Sequence, residues 1–367
     1  MDAAELRAAI PALEHCTYLN TGATGPSPRP VVEALTDYVE RHRYTAPCGS
    51  NPYEVAREAK TSARATIADF LGSTPEEIAL TRNTVEGINH VATSIPWNPG
   101  DVVVRTDLEH SAGRLPWQRA RDRHDIEVRV LETDAGRLDL DALKAAVADA
   151  RLLVLSSLSW NYGTRLRVAE AVEIAHDAGA RVLVDAVQSP GQVAVDVEDW
   201  GADFVVGSGH KWLLGTWGAG FFHIDTEALD ALEPQRIGYR SVTDVDTDPY
   251  EYAPDASRFE LGTTAIGPYV ALQKAMELSE AVGMETIRPR ILELAGRLAE
   301  GLGDRYLGPD PVESGLVTFE AQDPEALVER LSEAGIKIRW VPEPHACRAS
   351  VHAFNTAAEI DALLEAL

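Results

Sequence analysis

Lysine is nearly absent from this chain of 367 residues: Lys60, Lys144, Lys211, Lys274 and Lys337 are all there are among 33 basic side chains, the rest being arginine. Cysteine is as scarce. Cys16, Cys48 and Cys347 form an odd set with no CxxC spacing, which excludes a disulfide framework and a cysteine-based metal site. No stretch approaches the roughly 18 uninterrupted apolar residues of a membrane helix. The opening MDAAELRAAIPALEH carries acids and a proline, unlike a secretory or transit segment. The expectation is a soluble, cytoplasmic protein with no membrane partner. Positive charge is also short, 33 basic against 58 acidic residues for a net charge of −25. That excludes nucleic acid as a partner, because phosphate binding needs clustered Lys and Arg. An acidic, arginine-rich, lysine-poor surface fits a halophilic protein whose self-repulsion is screened by salt.

What is present is ordinary globular material, 45% hydrophobic and 25% charged, long enough for two or three domains. Helical spacing covers 28–44 and 52–71, with the turn-rich APCGSNP between them. Short apolar runs then follow at 76–81, 101–106, 126–131, 151–157, 181–187, 202–208 and 219–224. They alternate with helical patterns at 85–95, 112–123, 139–149 and 168–178. This alternation predicts an α/β fold with a mostly parallel seven-stranded sheet. Residues 233–258 read as loop. Helical patterns at 267–282, 284–302, 324–334 and 357–366, mixed with strand-like GLVTFEA, GIKIRWV and RASVHAF, predict a smaller α+β C-terminal domain. The expected borders are 1–15 for an N-terminal helix packing on the small domain, 16–250 for the large domain and 251–367 for the small one.

The most informative stretch is 181–220. Asp185 closes one apolar strand, and Ser208, His210 and Lys211 follow another. Parallel α/β sheets present functional groups at that carboxyl edge. A lysine there is poorly solvated, which lowers the amine pKa and makes it nucleophilic. No GxGxxG or GxxxxGK[ST] turn follows the first strand, which argues against a nucleotide-binding α/β protein.

SGHKW, then GTWGAGF, preceded by VDAVQ, resembles the pyridoxal-phosphate site of the class V aminotransferase family, which includes cysteine desulfurases, selenocysteine lyases, kynureninase and aminotransferases. Five further segments match in order: YLNTGATGPSP (18–28), TRNTVEGIN (81–89), DLEHSA (107–112), RFELGT (258–263) and CRASVHAFNT (347–356). The resemblance implies fold type I and a Schiff base between Lys211 and pyridoxal 5'-phosphate, with Lys211 then acting as the acid/base at Cα. It implies that Asp185 pairs with the pyridine nitrogen, Gln188 donates to the ring hydroxyl oxygen and His110 stacks on the ring. Thr84, Val85 (through its backbone), Ser208 and His210 would cradle the phosphate. Thr263 would reach the phosphate of a partner subunit in a homodimer with shared sites, and Arg348 would bind the carboxylate of a small amino-acid substrate.

Departures from the desulfurase pattern bear on the reaction. The link RWVPEPHACR (339–348) is short where sulfur-mobilising desulfurases carry a catalytic cysteine, and Cys347 is expected to be a buried structural thiol. SLSWNYGT (157–164) puts Trp160 where those enzymes have an asparagine, with Asn161 one step along. Cysteine desulfurase or selenocysteine lyase chemistry is the nearer expectation by motif. An aminotransferase is the alternative, and an epimerase-like enzyme or a non-catalytic homologue is less favoured.

Overall fold

The computed structural model describes residues 1–49 and 51–367. Its largest element is a sheet of seven strands: β2 (Ile78–Thr81), β3 (Val102–Thr106), β4 (Glu127–Leu131), β5 (Ala150–Ser156), β6 (Arg181–Asp185), β7 (Phe204–Ser208) and β8 (Gly220–Ile224). Their spatial order is β2-β8-β7-β6-β5-β3-β4. Every pairing is parallel except the two that flank β8. All seven lie where the apolar runs predicted strands.

Alternation along the central strands explains why those runs are uninterrupted. On β6, Val182 and Val184 enter one core while Leu183 enters the core on the opposite face; on β5, Leu153 and Leu155 oppose Leu152 and Val154 in the same way. Helices cover both faces, so each side chain loses its water, worth about 1.5–3 kcal/mol for a fully buried Val or Leu. No helix of the described residues is long and apolar enough to cross a membrane.

A second, antiparallel sheet has the order β11 (Arg339–Val341), β12 (Ala346–Ser350), β9 (Leu316–Phe319). Its core takes Leu294, Leu298 and Leu302 from helix Met284–Leu302 and Ile360 and Leu363 from helix Ala357–Ala366. The N-terminal helix Ala3–Ala8 is held by an Asp2–Glu5 capping box, and it lies between the two sheets. Leu6 and Ile10 pack with Trp212 and Leu214 as well as with Leu316 and Phe354.

Core membership moves the expected borders. Strand β1 (Thr17–Tyr18) pairs with β10 (Ile336–Lys337), so it sides with the smaller unit. Ala256, Phe259, Tyr269, Leu272 and Met276 belong to the cores of the large sheet. The chain crosses over at Gly283, between helices Gly267–Val282 and Met284–Leu302, rather than at 251. A hydrophobic helix declares its apolar face in sequence but not the sheet that receives it. The APCGSNP segment also differs from a plain turn. Helix Arg29–Glu40 continues through a π-helical Arg41–Thr45 into Ala46–Gly49; Ser50 lies outside the described residues.

Candidate active site

The carboxyl ends of β3, β5, β6 and β7 converge on a cavity of about 250 Å³. Lys211, Asp185, His110, Gln188, Ser208, His210, Thr84, Val85 and Arg348 all line it, which brings together nine residues spread over 265 positions of sequence. Thr263 is the exception. It borders a separate cavity with Lys60, Glu260 and Tyr269, and its hydroxyl meets that of Tyr239 at 2.9 Å.

Asp185 ends β6 in register with Ser156 of β5 and Val206 of β7. Its carboxylate accepts the Val187 N–H at 2.9 Å. Burial raises its pKa, opposed by that hydrogen bond and by the charge of Lys211. Burial pushes the Lys211 amine down to about 8, assisted by Arg348 and Arg339 and opposed by Asp185. The lysine and the carboxylate therefore face one space and feel one another, as a nucleophilic amine and a charge anchor require.

The turn holding Lys211 is braced from the N-terminal segment. Gly25 N–H donates to the His210 carbonyl at 2.7 Å, and the Thr24 hydroxyl donates to it at 3.2 Å. A Cβ on Gly25 would stand 2.2 Å from the Lys211 carbonyl oxygen, so only glycine permits this approach.

Helix Thr84–Ser94 starts at the cavity wall, capped by Asn83, whose Oδ1 accepts the Glu86 N–H at 2.9 Å. Thr84 N–H donates to Ser208 Oγ at 2.7 Å, and the two hydroxyls meet at 2.7 Å. The Val85 N–H has no partner among the described residues. A free N–H, two hydroxyls and the positive end of a helix dipole suit a phosphate.

His110 caps helix Ser111–His124, its Nδ1 accepting the Ala112 N–H at 3.3 Å. Burial lowers its pKa to about 4, helped by Lys211 and nearby arginines, so the imidazole is neutral. Its ring meets Trp160 edge to face at 5.0 Å. Trp160 lines the cavity, whereas Asn161 turns away to donate to the Glu343 carbonyl at 2.8 Å.

Arg348 on β12 is fully buried. Its Nη1 donates to the Trp160 carbonyl at 2.6 Å, while Nε and Nη2 find no partner among the described residues. Burial, then the charge of Arg339, brings it down to about 9. Cys347 is also fully buried but points the other way, into the core of the smaller sheet, where its thiol reaches the Pro324 carbonyl at 3.6 Å. Alternation along a strand requires this opposition. Burial pushes the thiol up to about 12, so it is neither accessible nor ionised. No cysteine of the described residues lines the cavity.

Sequence reasoning assigned no role to Arg339 or Glu109. Arg339 pairs across the hairpin with Arg348 and lines the same cavity; its nine-residue separation from Arg348 over a short link was the available signal. Glu109, buried beside His110, accepts the Thr106 hydroxyl at 2.8 Å and both the N–H and hydroxyl of Ser156, at 2.9 and 2.8 Å. Burial raises it to about 7. It anchors the turn that presents His110, and only its place in the DLEHSA segment hinted at this.

A buried guanidinium with two unused donors costs stability unless an anion meets it. A carboxylate beside a lysine, a neutral imidazole and a phosphate-sized cradle complete a donor set that fits pyridoxal phosphate together with an amino-acid carboxylate.

Comparison with known proteins agrees. The family model "Aminotransferase class-V" matches residues 17–363. A probable cysteine desulfurase of Methanothermobacter thermautotrophicus is 34% identical, covering 99% of this chain and 96% of its own. The apo structure of the cysteine desulfurase from Thermococcus onnurineus NA1 superposes with a TM-score of 0.92 at 31% identity, over 98% of this chain and 96% of that one. The cystine C–S lyase C-DES in complex with cysteine persulfide gives a TM-score of 0.90 at 28% identity, over 97% and 98% of the two chains. A lysine-to-alanine mutant of C-DES with glycine covalently linked to its PLP cofactor gives 0.91 at 28%, over 98% of each chain. The chain belongs to the class V aminotransferase family of pyridoxal-phosphate-dependent enzymes.

Proposed function

We propose that this enzyme cleaves the carbon–sulfur bond of a cysteine-type amino acid and releases the sulfur to solution rather than to a thiol of its own. The observation that carries this is the opposition of Arg348 and Cys347 on β12: the guanidinium faces the cavity and the thiol faces the core. The relatives described above are desulfurases and a C–S lyase, which favours C–S cleavage over transamination.

Bound pyridoxal phosphate supplies an electron sink conjugated to the substrate Cα. Lys211 would hold the cofactor covalently and then, with an amine near neutrality, move the Cα proton. Asp185 would keep the ring nitrogen protonated, and the Gln188 side-chain amide would donate to the ring oxygen. His110 would cover the ring face. Thr84, Ser208, His210 and the Val85 N–H would hold the phosphate. The free Nε and Nη2 of Arg348 would take the α-carboxylate as a bidentate pair. Arg339 beside it suits a substrate with a second anionic group, such as a disulfide-linked amino acid.

With the Cα proton removed, the Cβ–S bond breaks and its electron pair leaves with sulfur. Cysteine and water then give pyruvate, ammonia and sulfide; cystine and water give pyruvate, ammonia and cysteine persulfide. A relay enzyme instead returns alanine and a persulfide on its acceptor. The test is product analysis with L-cysteine and L-cystine, with and without a soluble thiol. Pyruvate with stoichiometric ammonia is expected; alanine as the main carbon product would refute elimination.

We also infer a homodimer. Thr263 lies away from its own cavity, and Val85, Trp217, Ile237 and Tyr239 expose large apolar surface; a second copy would cover that surface and bring its Thr263 to the phosphate. Sedimentation at micromolar concentration should give twice the chain mass. All three cysteines are free, which supports a cytoplasmic setting.

A further inference from the structure

We propose that Trp212, the residue after Lys211, is a positioning residue that locks the orientation of the Gln188 side-chain amide. This rests on the reading above that Gln188 faces the cofactor ring oxygen. Trp212 Nε1–H donates to Gln188 Oε1 at 2.7 Å, and Gln188 Nε2 donates to the Gly22 carbonyl at 3.0 Å. A primary amide has one acceptor oxygen and two N–H donors. Flipping it would set Nε2 against the indole N–H, donor against donor, and Oε1 against the Gly22 carbonyl, acceptor against acceptor. One orientation survives, and it leaves a single N–H of Gln188 for the cavity that this residue lines.

The indole can enforce this because it is itself fixed. Trp212 is buried, its carbonyl accepts His352 Nε2–H at 3.1 Å, and its ring stacks on His352 with centroids 6.0 Å apart. A Cβ on Gly191 would stand 2.3 Å from the Trp212 carbonyl, and one on Gly315 would stand 2.6 Å from the indole. His352 follows β12, the strand of Arg348. One joint therefore ties the lysine turn, the amide and the carboxylate-binding strand together. Phenylalanine fills most of the same space but cannot donate.

A donor at the ring oxygen competes with the proton that oxygen helps to hold. The pH midpoint of the cofactor's visible band is therefore low when the donor is fixed and rises when it is lost. Trp212→Phe holoenzyme is expected to show a midpoint about one pH unit higher, with a native fold and a melting temperature lower by a few degrees from the lost donor. Gln188→Leu should raise the midpoint at least as much, and the double variant should add nothing further. An unmoved midpoint in Trp212→Phe, or additive shifts in the double variant, overturns the inference. Should Trp212→Phe not fold, the indole proton in the unmutated residue gives the answer. In enzyme labelled with ¹⁵N at the indole, its exchange should be slow, and fast in Gln188→Leu; equal rates overturn the inference. A wild-type enzyme without any visible band would instead sink the cofactor assignment at this site.

Discussion

Replacing Arg348 with methionine should make the protein more stable and nearly useless with carboxylate substrates. The guanidinium is fully buried, and its surroundings bring its pKa from the ordinary 12.5 to about 9. At about 1.36 kcal/mol per pH unit, that difference is a penalty on the charged form of order 2–5 kcal/mol after allowance for relaxation. The sign follows from a base whose pKa is lowered on folding: the penalty is complete below about pH 9 and fades only as pH rises toward the unfolded value. Methionine removes it and fills similar space, but leaves the Trp160 carbonyl without its donor, at a cost of about 1–3 kcal/mol. Taking the middle of each range, the net expectation is about 1–2 kcal/mol of stabilisation, a rise of roughly 1–3 °C in the apoenzyme Tm at pH 7 for a chain of this length. If Arg348 holds the substrate carboxylate as proposed, the same change deletes two charge-assisted hydrogen bonds to it, and KM should rise at least about 100-fold. Differential scanning fluorimetry of the apoenzyme and steady-state kinetics of the holoenzyme read the two effects separately. A variant that folds natively yet melts below the wild type, or one whose KM is unchanged, refutes the reasoning.

Cys347→Ala should retain kcat within about twofold, since the thiol faces the core, at a stability cost of about 1 kcal/mol; loss of turnover would show that sulfur passes through it. Glu260 is clamped by Lys60 and Arg64 and accepts the Leu80 N–H at 3.0 Å. Glu260→Gln leaves two cations facing each other and should lower Tm by at least about 5 °C, equivalent to about 3–5 kcal/mol. Because this carboxyl is lowered on folding, its contribution is present above the unfolded value of about 4.3 and is lost as pH falls through the lower folded value. Covalent cofactor uptake by the apoenzyme should speed up with pH and level off above about 8, where the Lys211 amine becomes neutral; a midpoint near 10 would contradict its desolvation. With a net charge of −25, the wild-type protein should melt several degrees higher in molar salt than in dilute buffer, and equal melting temperatures would remove the halophile expectation.

Lys211 and Asp185 were legible because each follows a run of buried apolar residues, and a parallel sheet places such strand ends side by side. Thr84 and Ser208 were legible through flanking segments rather than through their contact, which depends on where helix Thr84–Ser94 meets β7. Arg339 and Glu109 escaped notice for a related reason. Arg339 enters the site only through the register of the β11–β12 hairpin, and Glu109 acts through Ser156, 47 positions away. Pairing register and the choice of packing partner are properties of the assembled chain, and local sequence pattern does not encode them singly. The same holds for helix Gly267–Val282, whose apolar positions fit either sheet until Met276 and Leu272 are seen against the large one.

The four residues that join β11 to β12 have a further consequence for anyone wishing to change what this protein makes. Cys347 cannot be recruited as a sulfur carrier by rotating the strand one step, since that would drive Arg348 into hydrocarbon and strip the cavity of its proposed carboxylate anchor. A carrier arm must be spliced in as extra length between Val341 and Ala346, outside the ladder. On the chemistry proposed above, grafting a cysteine-bearing insert there, with both strands untouched, would turn release of free sulfur into sulfur donation.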